Sequence, residues 1–107
     1  MNAMKKHARE KGYKLNKKYY KNERFFNADN GVVEDMIPDI IEALTIKHYD
    51  KGPMADKEPD KYEGWVWVYI YDMLHDFDIP EVIYIKIRYN PPDEMVIISF
   101  HDDEYLD

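Results

Sequence analysis

The stretch Glu81-Val-Ile-Tyr-Ile-Lys-Ile-Arg-Tyr89, then Asn90-Pro-Pro-Asp93, then Glu94-Met-Val-Ile-Ile-Ser-Phe-His101 decides the fold class of this chain. Its two flanks are rich in β-branched and aromatic residues and the piece between them is a turn signal, so they read as two strands paired in an antiparallel hairpin. Side chains alternate between the faces of a strand. On the first strand Ile83, Ile85, Ile87 and Tyr89 point into a core, whereas Val82, Tyr84, Lys86 and Arg88 point the other way. On the second, Val96, Ile98 and Phe100 share one face and Ile97, Ser99 and His101 the other. Register is not legible at this level, but one pairing sets the Tyr84-Lys86-Arg88 row beside Ser99 and His101.

Upstream, Trp65-Val-Trp-Val-Tyr-Ile-Tyr71 is apolar on both faces, as expected of a strand covered on both sides. A polar stretch with His75, Asp76, Asp78 and Pro80 separates it from the hairpin. Residues 49–64 hold Gly52, Pro53, Pro59 and Gly64 among charges of both signs and read as a long loop. Before it, Ile37, Ile40, Ile41 and Leu44 follow helical spacing, with Pro38 tolerated in the first turn. Residues 22–29 also read as helical, carrying Phe25, Phe26 and Ala28, and residues 3–11 as a short helix stopped by Gly12. Residues 13–20 fit either an extended piece or a second helix. Helices first and antiparallel strands after them predict an α+β fold, with N-terminal helices packed on a small, mainly antiparallel sheet.

The chain has 107 residues, a length that suits one domain with a single core. We divide that domain into a basic arm (1–24), a helical segment (25–48), the loop (49–64), the sheet (65–101) and an acidic tail (102–107). The absence of cysteine excludes disulfide frameworks, thiolate zinc sites and Cys nucleophiles. No apolar run approaches the roughly 18 residues of a membrane span, and no signal-peptide core is visible, so the expectation is a soluble cytoplasmic protein without a membrane partner. Charge is divided unevenly. Residues 1–24 hold nine Lys/Arg against two Glu, whereas the remainder holds six against twenty acids, for a net −7 overall. A basic arm interleaved with Tyr13, Tyr19 and Tyr20 suits phosphate contact with base stacking; it equally suits a basic helix leaning on the protein's own acidic body.

The candidate chemistry lies on the Tyr84-Lys86-Arg88 face. A phenol, two cations and an imidazole are the inventory for metal-independent RNA cleavage, which needs a base for the 2′-hydroxyl proton, cations for the charged phosphorane and an acid for the leaving 5′-oxygen. The plain alternative is a sheet with one wet face, where Lys and Arg are ordinary solvent-side residues. His75-Asp76-Phe77-Asp78 and His101-Asp102-Asp103 offer imidazole and oxygen ligands to a metal, but both sit in acid-dense runs where such proximity arises by chance. His7 and His48 stand alone and read as surface or capping residues. No Gly-rich phosphate loop or Ser nucleophile elbow is present, and no cofactor is implied.

The hairpin, Val82-Ile-Tyr84-Ile-Lys86-Ile and Val96-Ile-Ile-Ser99-Phe100, resembles the MqsR family of toxins from bacterial type II toxin–antitoxin systems. It is similar to that family's Val-Tyr-Leu-Lys-Ile strand and its hydrophobic run ending in Ser-Phe-Lys. Phe25-Phe26-Asn27-Ala28-Asp29 resembles a Leu-Leu-Asn-Ala-Asp segment, and Ile40-Ile41-Glu42-Ala43-Leu44 with Tyr49-Asp50-Lys51 resembles its helix followed by Phe-Tyr-Lys-Ser. The order holds over residues 24–101. The resemblance implies a RelE-like two-layer fold, endoribonuclease activity on mRNA, and neutralisation by a cognate antitoxin protein. It also implies functional roles for Lys51 and Tyr84, and puts His101 where the family carries a lysine. Lys86 and Arg88 would then contact RNA. The chain departs from the family at Val68, which replaces a glutamine, so another group takes that role or the chemistry is altered or lost. The acidic body is a second departure, and it keeps open a rival reading: a non-catalytic acidic α+β module, or an inactive toxin homologue, that binds a protein partner.

Overall fold

A computed structural model describes residues 2–55, 65–90 and 94–102. The elements run α1 (Asn2–Lys11), β1 (Lys14–Leu15), α2 (Tyr20–Phe26), α3 (Ile37–Ala43), β2 (Tyr49–Ala55), β3 (Trp65–Asp72), α4 (Leu74–Phe77), β4 (Val82–Asn90) and β5 (Glu94–Asp102), with single 3-10 turns at Glu34–Met36 and Ile46–His48. The fold is α+β, and its five strands form one sheet in the order β1-β5-β4-β3-β2. All neighbours are antiparallel except the short parallel pair of β1 with β5, where Lys14 and Leu15 face Val96 and Ile97.

One face of the sheet carries the core. Ile83, Ile85, Ile87 and Tyr89 on β4 are all buried, as the alternation requires, and they meet Tyr69, Tyr71, Met95, Ile97 and Phe100 from the flanking strands. The α3 stripe Ile37, Ile40, Ile41 closes over them with Leu44. Each such aliphatic side chain contributes roughly 1.5–3 kcal/mol by leaving water. Phe26 lies flat on Phe100, with ring centres 5.4 Å apart and planes 8° from parallel, and so fixes α2 to β5. Helix α1 buries Met4 and His7. Its outer side is tied to α3 where Arg9 Nη1 donates to both carboxylate oxygens of Glu42 at 2.9 Å. Two more cations of the basic arm are matched within the molecule, Lys14 with Glu94 at 3.4 Å and Lys17 with Glu34 at 3.6 Å.

Four expectations need correction. Tyr49–Ala55 is an edge strand rather than the start of a loop, because an outer strand accommodates Gly and Pro at its irregularities, where no ladder bond is lost. The remainder of that expected loop, residues 56–64, lies outside the described residues, as do residues 91–93 of the hairpin turn and residues 103–107 of the acidic tail. The second helix covers Tyr20–Phe26 rather than 22–29, and Asp29 already has a left-handed backbone (φ 52°). Asp72 accepts a hydrogen bond from the Leu74 N–H and opens the short α4 inside the expected polar break. Finally, β3 is covered on both sides only in part: Val66, Val68, Tyr69 and Tyr71 are buried, but Trp65 is 55% exposed.

His48 illustrates how a local cap becomes a pH-sensitive contact. The Thr45 N–H donates to His48 Nδ1 at 2.8 Å, which requires that nitrogen to be unprotonated, and the ring stands edge-on to Tyr71 with centres 4.8 Å apart. Burial holds the His48 imidazole below its ordinary range, only partly offset by the nearby Asp76 carboxylate, while Lys47 and Lys5 push the same way as burial. The unfolded chain therefore takes up a proton at His48 more readily than the folded one as pH falls below about 6.5, and stability is lost across that window. His48→Gln is expected to flatten the dependence of melting temperature on pH between 7 and 5. A curve parallel to that of the native protein removes His48 from the linkage.

Candidate active site

Directly opposed residues in an antiparallel ladder project from the same face. In β4 and β5, Tyr84 faces His101, Lys86 faces Ser99 and Arg88 faces Val96. In β3 and β4, Ile70 faces Tyr84, Val68 faces Lys86 and Val66 faces Arg88. On the outer side, Lys51 of β2 faces Val68. The face away from the core thus carries a row Lys51–Val68–Lys86–Ser99 across four strands, with Ile70–Tyr84–His101 beside it. Strands about 4.8 Å apart put the Lys51 and Lys86 backbones about 10 Å apart. All five residues singled out from the sequence, Lys51, Tyr84, Lys86, Arg88 and His101, share this face.

The pairing of Tyr84 with both Lys86 and His101 on one side depends on an irregularity. Along β5, Ile97 opposes Ile87 and Ser99 opposes Lys86, so Ile98 is an extra residue with no partner on β4. This bulge switches the alternation. Ile97 goes to the core and Val96 to the outer face, contrary to the uniform alternation expected from the sequence, while Ser99 and His101 stay where expected. The bulge is held from outside by Asn22 of α2. Its Nδ2 donates to the Ile98 carbonyl at 2.9 Å and its Oδ1 accepts the Phe100 N–H at 2.7 Å, taking the place of a neighbouring strand where β1 has ended.

The rings behind this clip enclose His101. Tyr84 lies nearly parallel to it, with centres 5.5 Å apart and planes at 22°, and Tyr19 stands edge-on at 5.8 Å. His101 is only 2% exposed, whereas Tyr84 is half-buried and Lys51 exposed. The Nδ1 of His101 lies 2.8 Å from the Asp102 carbonyl oxygen. A carbonyl can only accept, so Nδ1 carries a hydrogen and Nε2 is the nitrogen left to exchange a proton. Arg88 reaches the same face but is 6% exposed, with Nη2 3.8 Å from a Glu94 carboxylate oxygen, as a buried cation requires. Of the other cations on this face, Lys86 is half-buried and Lys51 exposed. Among the described residues no group of three or more His, Asp or Glu is arranged to hold a metal ion; of the acid-dense runs considered above, Asp103 lies outside those residues.

Gly52 secures Lys51. Its backbone has φ 118°, and a Cβ there would stand 2.6 Å from the Val66 carbonyl oxygen and 2.9 Å from Trp67 Cα. Glycine alone fits, and the Tyr49 hydroxyl donates to its carbonyl. Gly52→Ala is expected to destabilise the protein by about 1–3 kcal/mol from backbone strain alone, read as a lower urea midpoint. An unchanged midpoint removes the tight approach of β2 to β3 as a determinant of where Lys51 sits. Sequence reasoning missed Asn22 and Gly52, and it read Tyr19 as an aromatic of the basic arm rather than as a wall around His101. Gly52 carries a weak signal, a glycine before proline next to a candidate functional lysine; Asn22 carries none.

Fold and site together define a class: a small α+β protein whose outer sheet face groups a half-buried phenol, a buried imidazole and ammonium groups. No protein-family model, curated protein or solved structure matches the chain. No helix among the described residues is long and apolar enough to cross a membrane.

Proposed function

We propose that the protein is an MqsR-like, RelE-type toxin: a metal-independent endoribonuclease that cuts mRNA and is neutralised by an antitoxin protein. The observation that carries this reading is the cross-strand register, which sets Tyr84 against His101 and Lys51 and Lys86 in the adjoining row. In the proposed reaction the 2′-oxygen attacks the neighbouring phosphorus as its proton passes to a base. The bond to the 5′-oxygen then breaks as an acid protonates that oxygen, leaving a 2′,3′-cyclic phosphate and a 5′-hydroxyl. His101 Nε2 and the Tyr84 hydroxyl supply the proton exchange, and the lysines offset the charge that builds on the phosphorane. Val68 supplies no amide, so binding and positioning rest on the lysines and the Tyr84 hydroxyl.

The test is cleavage of single-stranded RNA by the purified protein in EDTA, with end-group analysis, alongside growth after induction. The reading expects fragments ending in 2′,3′-cyclic phosphate, and arrest of growth. Intact RNA together with harmless overproduction overturns it and leaves the rival, an acidic α+β module that binds a protein partner. A specific observation favours that rival: Arg9, Lys14 and Lys17 of the basic arm are matched to Glu42, Glu94 and Glu34, so part of the arm's charge is already answered within the molecule.

A further inference from the structure

We propose that two copies of the protein form a twofold dimer through the free edge of β1, which pairs antiparallel with β1 of the second copy across Leu15 and joins the two sheets into one. The inference goes beyond the endoribonuclease reading and does not depend on it. Its basis is the hydrogen bonding of β1. Along a strand each residue turns its N–H and C=O to one side, and neighbours alternate. The Asn16 N–H donates to the Ile97 carbonyl at 3.0 Å, so Asn16 and Lys14 face β5 and Leu15 turns both of its backbone groups outward. Among the described residues no hydrogen bond reaches either group. An outer strand with an open donor and an open acceptor is a template for another strand.

Space and charge identify the occupant. Beside Leu15 lie two cavities of about 350 and 490 Å³, both lined by Leu15, Lys17 and Glu34; Phe26 of α2 walls the first, and Tyr13 and Asp35 wall the second. Once Leu15 exchanges both bonds with Leu15 of the second copy, the register is fixed: Lys17 stands opposite Tyr13, and Asn16 opposite Lys14. Acids gather at Tyr13. Its phenol is pushed up by burial and by the Glu34 and Asp35 carboxylates, which stand near it. Among the described residues Asp35 has no ion pair, and Glu34 has a single contact at 3.6 Å, with the exposed Lys17 of its own chain. An exposed pair of that kind is weak and is given up at little cost. The second copy therefore brings an ammonium group to two carboxylates and an aromatic ring, and the symmetry makes that contact twice. The same carboxylates disfavour a nucleic acid in this place. In the dimer both outer faces lie on one side of a continuous sheet, so two Tyr84–His101 pairs share a surface.

The experiment uses the full chain. Sedimentation velocity is run at about 0.15 M salt, where repulsion between two chains of net −7 is screened beyond about 8 Å. It is expected to show a dimer whose share rises with concentration. Lys17→Glu and Asp35→Lys, both at exposed positions, are each expected to weaken the dimer about 5- to 100-fold, and the two together to restore it. Circular dichroism checks that the variants are folded. The chain has no cysteine, so a single one reports the contact. Directly opposed, hydrogen-bonded residues have Cα atoms about 5.5 Å apart, within the span of a disulfide. Leu15→Cys under mild oxidation is expected to cross-link at least about 10-fold faster than Ile46→Cys, which is 77% exposed and lies just before β2, the strand at the opposite edge. A native chain that stays monomeric up to about 1 mM overturns the proposal. So does a dimer that both charge reversals leave unchanged, or a Leu15→Cys that cross-links no faster than Ile46→Cys. RNA cleavage is read separately: a monomer that cuts leaves the endoribonuclease reading standing without the dimer, and a β1-linked dimer that leaves RNA intact does the reverse.

Discussion

Tyr84→Phe is expected to lower the rate of RNA cleavage about 10²- to 10⁴-fold, the range a positioned proton donor or acceptor supplies, while the melting temperature stays within a few degrees of native. The substitution removes one oxygen. It leaves the ring that stacks on His101, and it creates no cavity, because Tyr84 is only half-buried. The structure ranks this above His101→Ala as a test. His101 is enclosed between Tyr84 and Tyr19, so its removal also empties a packed position and mixes a loss of stability with any loss of chemistry. Single-turnover cleavage with saturating protein separates the chemical step from binding. If Tyr84→Phe cuts at the native rate, the phenol takes no part in proton exchange and the role assigned to Tyr84 is withdrawn.

The largest effect on stability is expected from Asn22→Ala, a loss of about 2–5 kcal/mol in urea unfolding. Asn22 is 1% exposed and satisfies three backbone groups at once, the carbonyls of Asn16 and Ile98 and the N–H of Phe100. Each buried group left without its partner costs about 1–3 kcal/mol, against a total of roughly 5–15 kcal/mol for a domain. Aspartate does not rescue the position. Its carboxylate accepts the Phe100 N–H but turns a second oxygen toward two carbonyls that need a donor. Because the clip also holds the Ile98 bulge and places Tyr19 against His101, cleavage by the surviving folded fraction is expected to fall as well. A urea midpoint unchanged by Asn22→Ala ends the claim that this side chain substitutes for a strand.

Much of the site was legible in the sequence because the periods that encode it are local. Alternation along residues 82–89 assigned Tyr84, Lys86 and Arg88 to one face and Ile83, Ile85 and Ile87 to the core without any partner strand being known. The stripe Ile37, Ile40, Ile41 and Leu44 marked α3 for the same reason, and all four residues are buried. Where the local pattern was interrupted, the reading failed. Gly52 and Pro53 concealed β2, because an edge strand tolerates them on account of where it lies in the sheet rather than which residues precede it.

What only the tertiary structure decided is how those faces meet. The opposition of Tyr84 to His101, the bulge at Ile98 and the burial of Arg88 beside Glu94 all arise from contacts between strands. The parallel seat of β1 and the amide clip from Asn22 to Phe100 join residues more than seventy positions apart. A residue's own sequence neighbourhood determines which way its side chain points from a strand, because the backbone repeats every two residues. Register and burial depend on which distant backbone donors and acceptors remain to be satisfied, and those are identified only once the chain has closed on itself.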